Sequence, residues 1–307
     1  MSGRRGIAVE IQRVAVVGAG TMGRGIAQVA ALGGYQTVIQ DVDAGTLKEA
    51  RQAIAASLAK GVELGKVTPA AAQAARERLI PLAGVAEAAS RADLVIEAVP
   101  EDIQIKLELF RVLDRVAPPH TVLATNTSAL SITEIAAATG RPERVIGMHF
   151  FNPVHLMRLV EIVRALQTDD STQEIALAAA RRMGKEPVIV NESPGFVTTR
   201  VNALIGNEAF YLLHEGVASA RDIDKAIKLG LNHPMGPFEL VDLVGLDTRL
   251  AILNFLHRTL GEKYRPCPLL EKYVKAGRLG KKVGRGVYEY GEEMESGAVV
   301  VRAQSEA

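Results

Sequence analysis

The sequence predicts a doubly wound α/β domain followed by an all-helical domain. Three observations carry this. Through about residue 190, short β-branched runs alternate with Ala-rich stretches of helical period. The polar segment Asn191-Glu-Ser-Pro-Gly195 then interrupts the pattern, as a boundary rich in Pro and Gly does. Beyond it nearly every segment has helical spacing, and 307 residues is ample for two domains. The expected boundaries are 1–191 and 192–290, with a patternless tail over 291–307 that is expected to be mobile.

The first strand is Val14–Val17, uniformly apolar, as in a parallel sheet covered on both faces. A glycine-rich turn follows, then an apolar helix from about Met22 to Leu32. Thr37–Gln40 is the second strand and ends at Asp41; a long helix runs from Ala44 to Leu64. Leu94–Glu97, Thr121–Ala124, Val145–Met148 and Val188–Val190 read as further strands, with a helix through Lys106 to Val116. In the second domain, Val201, Leu204, Ile205, Ala209 and Leu212 share one helical face, which Gly216 terminates. Ser219 with Asp222 three residues on resembles a capping box opening a helix over Asp222–Leu229, and Leu250–Leu260 forms another helix.

Composition narrows the function classes. Apolar residues make up 48% and charged residues 23%, and 36 basic against 35 acidic residues leave a net charge of +1. So even a balance argues against a nucleic-acid partner. Cys267 is the sole cysteine, which excludes an intrachain disulfide and a cysteine-built metal site and fits a reducing, cytoplasmic location. Arg4 and Arg5 are followed by no apolar stretch of a secretory signal, and no apolar run reaches membrane-spanning length.

Gly18-Ala-Gly20-Thr-Met22-Gly23 fits the G-x-G-x-x-G pattern between a strand and a helix. Gly18 permits the tight turn, Gly20 lets backbone approach a pyrophosphate, and Gly23 lets helix pack on sheet. Asp41 stands 21 positions after Gly20, at the end of the second strand. A carboxylate there accepts from a ribose 2′-hydroxyl and repels a 2′-phosphate, so the expected cofactor is NAD in a Rossmann-type domain. Asp43 is a nearby competitor for that role.

Further motifs accompany this turn: Glu97-Ala-Val-Pro-Glu101, Thr125-Asn-Thr-Ser128, His149-Phe-Phe-Asn-Pro153 and Leu159-Val-Glu161. They continue in Ser193-Pro-Gly-Phe196, His233-Pro-Met-Gly-Pro-Phe238 and Gly280-Lys-Lys282. In this order, over nearly the whole chain, they resemble the 3-hydroxyacyl-CoA dehydrogenase family, with short-chain members such as 3-hydroxybutyryl-CoA dehydrogenase most similar. Oxidising a secondary alcohol needs a base and a hydride acceptor; histidine titrates near working pH, and the cofactor takes the hydride. His149 ends a strand on the carboxyl edge of the sheet, where doubly wound folds bind ligands, and His155 is its nearest rival. The resemblance implies that His149 is the base and Glu161 its partner. On pattern alone, Glu161 also reads as one exposed residue of a half-buried strand.

The resemblance further implies that Ser128 touches the substrate oxygen, and that Glu101, Lys106, Asn152 and Lys282 contact the cofactor. On local pattern Ser128 also suits a helix N-cap, and the three charged residues suit a solvated surface. One position departs: the asparagine that follows the family's Pro-Gly-Phe turn is Thr199 here, with Asn202 one helical turn on as a substitute. The family's serine for the CoA nucleotide aligns with Ser57; its lysine position is Leu64, leaving Lys60 and Lys66 as replacements. The expected partners are an acyl-CoA thioester and a second copy of the chain in a homodimer. Two other readings stay open: a same-superfamily dehydrogenase of a sugar acid or free hydroxy acid, and a non-catalytic, crystallin-like binding protein.

Overall fold

The computed structural model describes residues 11–291. The expected tail therefore lies outside the described residues except for Gly291, as do Arg4 and Arg5. The chain divides into two compact units, one ending at Phe196 and the other beginning at Val197.

The first unit opens with β1 (Arg13–Val17), α1 (Thr21–Leu32), β2 (Gln36–Gln40) and α2 (Ala44–Glu63). Next come α3 (Pro69–Arg78), β3 (Leu79–Leu82), α4 (Val85–Ala89), β4 (Leu94–Glu97) and α5 (Ile103–Val116). The unit closes with β5 (Val122–Thr125), α6 (Ile132–Ala137), β6 (Val145–Phe150), β7 (Leu159–Arg164), α7 (Asp170–Arg182) and β8 (Glu186–Asn191). Four of these elements, α3, β3, α4 and α7, have no counterpart in the sequence reading. The proline in β3, Leu79-Ile-Pro-Leu82, is tolerated because β3 is the sheet's edge strand.

The eight strands form one sheet in the order β3-β2-β1-β4-β5-β6-β7-β8. The order reverses between β1 and β4, the crevice at which such sheets bind ligands. β6 and β7 pair antiparallel, whereas β1 to β6 are mutually parallel. The central strands are buried on both faces: Val14, Val16, Ile39, Leu94 and Ile96 pack in one core layer, Ala15, Val17, Val95 and Leu123 in the other. This is why those strands read as continuous apolar runs.

The second unit contains α8 (Thr198–His214), α9 (Ala220–Gly230), α10 (Pro237–Val244), α11 (Leu246–Leu260) and α12 (Pro268–Lys275). Ala203, Phe210, Phe238, Leu253 and Leu256 are among its core residues. Ser219 caps α9 by accepting from the Asp222 N–H, so the helix opens two residues before the expected start. Buried Asp224 accepts from the N–H groups of Phe238 and Glu239 and from the Tyr288 hydroxyl. It thereby ties α9 to the start of α10, whose first N–H groups have no helical partner.

Candidate active site

The glycine turn takes the geometry its sequence requires. Gly18 has φ +97°, and a Cβ there would lie 2.6 Å from the Ala98 carbonyl oxygen. A Cβ on Gly23 would fall on the Gly18 carbonyl oxygen, so only glycine lets α1 seat against the turn. At Gly20, the N-cap of α1, a Cβ would meet nothing within 4 Å. That open space lies over the first turn of α1, which carries no acidic side chain and presents unpaired N–H groups. Met22 is half-buried and packs against the core.

Asp41 follows the carboxyl end of β2. Its Oδ2 accepts from the Ala19 N–H at 2.9 Å and its Oδ1 from the Asp43 N–H at 3.1 Å. Each oxygen keeps a lone pair for a ribose hydroxyl. Asp43 is instead the N-cap of α2, accepting from the backbone and hydroxyl of Thr46. Helix capping thus occupies Asp43, whereas Asp41 faces the glycine turn. Turn, open N-terminus and Asp41 together fit a dinucleotide.

His149 and Glu161 face each other across the antiparallel ladder of β6 and β7. His149 Nδ1 lies 2.7 Å from Glu161 Oε2, with the carboxylate fully buried and the His149 side chain 8% exposed. A carboxylate only accepts, so Nδ1 donates and the lone pair resides on Nε2. The imidazole ring centroid is 4.4 Å from that of Phe151 and 5.7 Å from that of Phe196. The Asn126 side chain accepts from the Phe150 N–H and pins the end of β6 to the loop after β5. Asn126 carried no assigned role in the sequence reading, because nothing in its pattern reveals a partner 24 residues away.

Glu101 gathers the loop after β5. Its Oε1 accepts from the Thr127 hydroxyl at 2.6 Å, the Ser128 N–H at 2.9 Å and the Ser128 hydroxyl at 3.3 Å. Ser128 is therefore not a helix cap. α6 begins at Ile132 with Ser131 as its N-cap, and Thr127 accepts from the Leu130 N–H. Lys106 departs from a solvated residue. It is 1% exposed, and its ammonium pairs with the buried Glu97 at 2.6 Å and with Glu101 at 3.4 Å. Glu97 also accepts from the Thr125 hydroxyl at 2.6 Å and the Val99 N–H at 2.8 Å. Sequence reasoning missed Glu97 as a hub; its signal was an acid closing the apolar run Leu94-Val-Ile-Glu97.

Of the residues expected at the CoA nucleotide, Ser57 lies on α2 and lines a cleft together with Asn152 and His155. Lys60 makes an exposed ion pair with Glu63, and neither it nor the exposed Lys66 lines that cleft. His155, the rival base, has different surroundings. It is exposed, and among the described residues no carboxylate pairs with it. Burial, then the charges of Lys185 and Lys66, hold its pKa below the usual histidine value. In the second unit, Thr199 and Asn202 are half-buried at the start of α8, and Lys282 pairs with Asp247 at 2.6 Å.

A dinucleotide turn and a buried histidine–carboxylate pair on one carboxyl edge define a nicotinamide-dependent dehydrogenase. Comparison with known proteins makes this specific. Residues 13–193 match the family model described as 3-hydroxyacyl-CoA dehydrogenase, NAD binding domain, and residues 195–290 match the corresponding C-terminal domain. A probable 3-hydroxybutyryl-CoA dehydrogenase of Bacillus subtilis is 51% identical, covering 93% of this chain and 99% of that one. A 3-hydroxybutyryl-CoA dehydrogenase of Bradyrhizobium diazoefficiens is 46% identical, covering 92% and 97%. The crystal structure of (S)-3-hydroxybutyryl-CoA dehydrogenase from Ralstonia eutropha superposes with a TM-score of 0.89 at 42% identity, covering 92% and 100%. The chain belongs to the 3-hydroxyacyl-CoA dehydrogenase family, and its cofactor is NAD.

Proposed function

We propose that the chain oxidises the 3-hydroxyl of short-chain L-3-hydroxyacyl-CoA thioesters reversibly, with His149 as base and Glu161 as its orienting partner. The buried 2.7 Å contact between these two side chains carries the reading. Bound NAD supplies the hydride acceptor for the C3 hydrogen. His149 takes the hydroxyl proton on Nε2 as the alcohol becomes a ketone. Glu161 holds Nδ1 protonated and balances the positive charge that forms on the ring. Ser128 is held at Glu101 through its backbone N–H, and its hydroxyl turns from Glu101 to donate to the substrate oxygen. Lys106 acts by holding Glu101, since its own ammonium is engaged by Glu97. The short-chain preference is supported by the names of the Bacillus and Bradyrhizobium relatives.

A homodimer formed by the second unit is supported by exposed apolar side chains there, among them Val201, Leu229, Leu231 and Leu243. No helix among the described residues is long and apolar enough to cross a membrane. A cytoplasmic location is supported by the single, buried and free Cys267. The decisive experiment is NAD reduction with 3-hydroxybutyryl-CoA against a free hydroxy acid and a sugar acid. Turnover of the thioester alone supports the reading; preference for an unactivated substrate, or none at all, overturns it.

A further inference from the structure

Glu97 ends β4, beside the reversal of strand order, and stands in register with Val17 of β1 and Thr125 of β5. Its side chain is fully buried, and both carboxylate oxygens are engaged. Oε1 accepts from the Lys106 ammonium at 2.6 Å and the Val99 N–H at 2.8 Å; Oε2 accepts from the Thr125 hydroxyl at 2.6 Å. The same ammonium faces Glu101 Oε2 at 3.4 Å. Lys106 is 1% exposed, whereas the Glu101 side chain is 42% exposed. One buried cation is thus shared by two carboxylates, the nearer sealed in the core and the farther open at the carboxyl edge of the sheet. The shorter contact, to Glu97, engages the cation more strongly, so a net negative charge remains at Glu101.

We propose that Glu97, by holding Lys106, preserves the negative charge of Glu101 and so makes the site favour oxidised NAD over NADH. The oxidised nicotinamide ring carries a positive charge that hydride addition removes, so a fixed negative charge nearby tells the two forms apart. The direction of the dinucleotide follows from the fold. With its adenosine ribose at Asp41 after β2 and its pyrophosphate over the turn after β1, it crosses the order reversal. Its nicotinamide half then falls over the ends of β4 and β5, where Glu101 and Ser128 meet. Without the charge of Glu97, the Lys106 cation would act on Glu101 alone and cancel it. Glu97 is fully buried and acts only through Lys106 and Glu101, as a positioning residue for charge. The inference rests on NAD as the cofactor and not on the identity of the thioester, so its test needs no substrate.

The test is calorimetric titration of the full chain with NAD and, separately, with NADH. Glu97→Gln keeps the shape and removes the buried charge. It should weaken NAD about three- to tenfold more than NADH, the effect of one unit charge acting across several ångströms of a partly solvated crevice. Glu101→Gln removes the same charge at a half-exposed position, where folding tolerates it, and should shift the ratio of the two dissociation constants in the same direction. Glu97→Gln combined with Lys106→Met restores one net negative charge and should return the ratio towards wild type. Equal weakening of NAD and NADH in the single variants would mean that Glu97 merely props the loop, and would overturn the proposal. A double variant whose ratio stays at that of Glu97→Gln would overturn it too. If Glu97→Gln alone does not fold, Glu101→Gln and the double variant decide: a lowered preference for NAD in the first and a wild-type preference in the second support the proposal, and any other pair of ratios defeats it.

Discussion

At the scale of single residues, the proposed chemistry turns on what surrounds His149. A histidine base is useful only if its ring is held in one tautomer, and Glu161 does this from the facing strand. His149→Ala should lower turnover by about 10²–10⁴-fold while NAD still binds. Glu161→Gln keeps the shape but removes the charge; its loss should be large and should not add to that of His149→Ala in the double variant. Alcohol oxidation should rise with pH through one ionisation that is missing in the His149 variant. Near-normal turnover in both folded single variants would place the base elsewhere. Asp41 should favour NAD over NADP, and replacing it should weaken NAD by about 1.5–3 kcal/mol, as for a hydrogen bond to a charged group. Comparable catalytic efficiency with both cofactors would defeat that reading. Thr199→Ala and Asn202→Ala, measured separately, should not both leave turnover unchanged; if they do, neither side chain serves the reaction.

At the scale of elements, helix starts carry measurable terms. Asp169 caps α7, accepting from the Thr172 N–H at 2.6 Å and the Ser171 hydroxyl at 3.0 Å. Burial pushes its carboxyl up, but the hydrogen bonds from Thr172 and Ser171 outweigh this and hold its pKa below the ordinary aspartate value. A folded-state pKa below the unfolded one gives stability that is present above the unfolded value and lost as pH falls through the folded one. Asp169→Ala should therefore cost about 0.5–2 kcal/mol near neutrality, and the gap from wild type should shrink as pH drops below about 4. Thermal melts across that range check both the sign and the window. A gap that stays constant or widens in acid would show that the carboxylate's charge is not what stabilises α7.

At the scale of the molecule, the two units are built on different rules, and the sequence shows it. The sheet unit buries strands on both faces, so its strands appear as short apolar runs; the helical unit appears as one-sided periodicity. The second unit leaves apolar side chains such as Val201 and Leu243 exposed. Sedimentation at micromolar concentration should give twice the monomer mass, and charged substitutions at Val201 and Leu243 should shift it toward one. A monomer in the unaltered protein would refute the homodimer.

By itself the sequence determined what local chemistry dictates: the glycine turn, the acid after the second strand, most of the strands and helices, and the residue types a dehydrogenase needs. Each depends on neighbours a few positions away, where spacing is geometry. The edge strand β3 escaped because the proline inside its apolar run Leu79-Ile-Pro-Leu82 removes a ladder donor and so argues against a strand. Pairing between distant segments was decided only by the fold. β7 runs against β6, so a loop and a reversal bring residues 149 and 161 into register, and a stranded acid becomes a partner. The same folding buries Lys106 against Glu97, binds Ser128 to Glu101 rather than to a helix start, and separates Asp41 from Asp43 by giving one a helix to cap. A side chain's sequence neighbours do not specify which groups replace the water it loses on burial; that choice belongs to the tertiary structure.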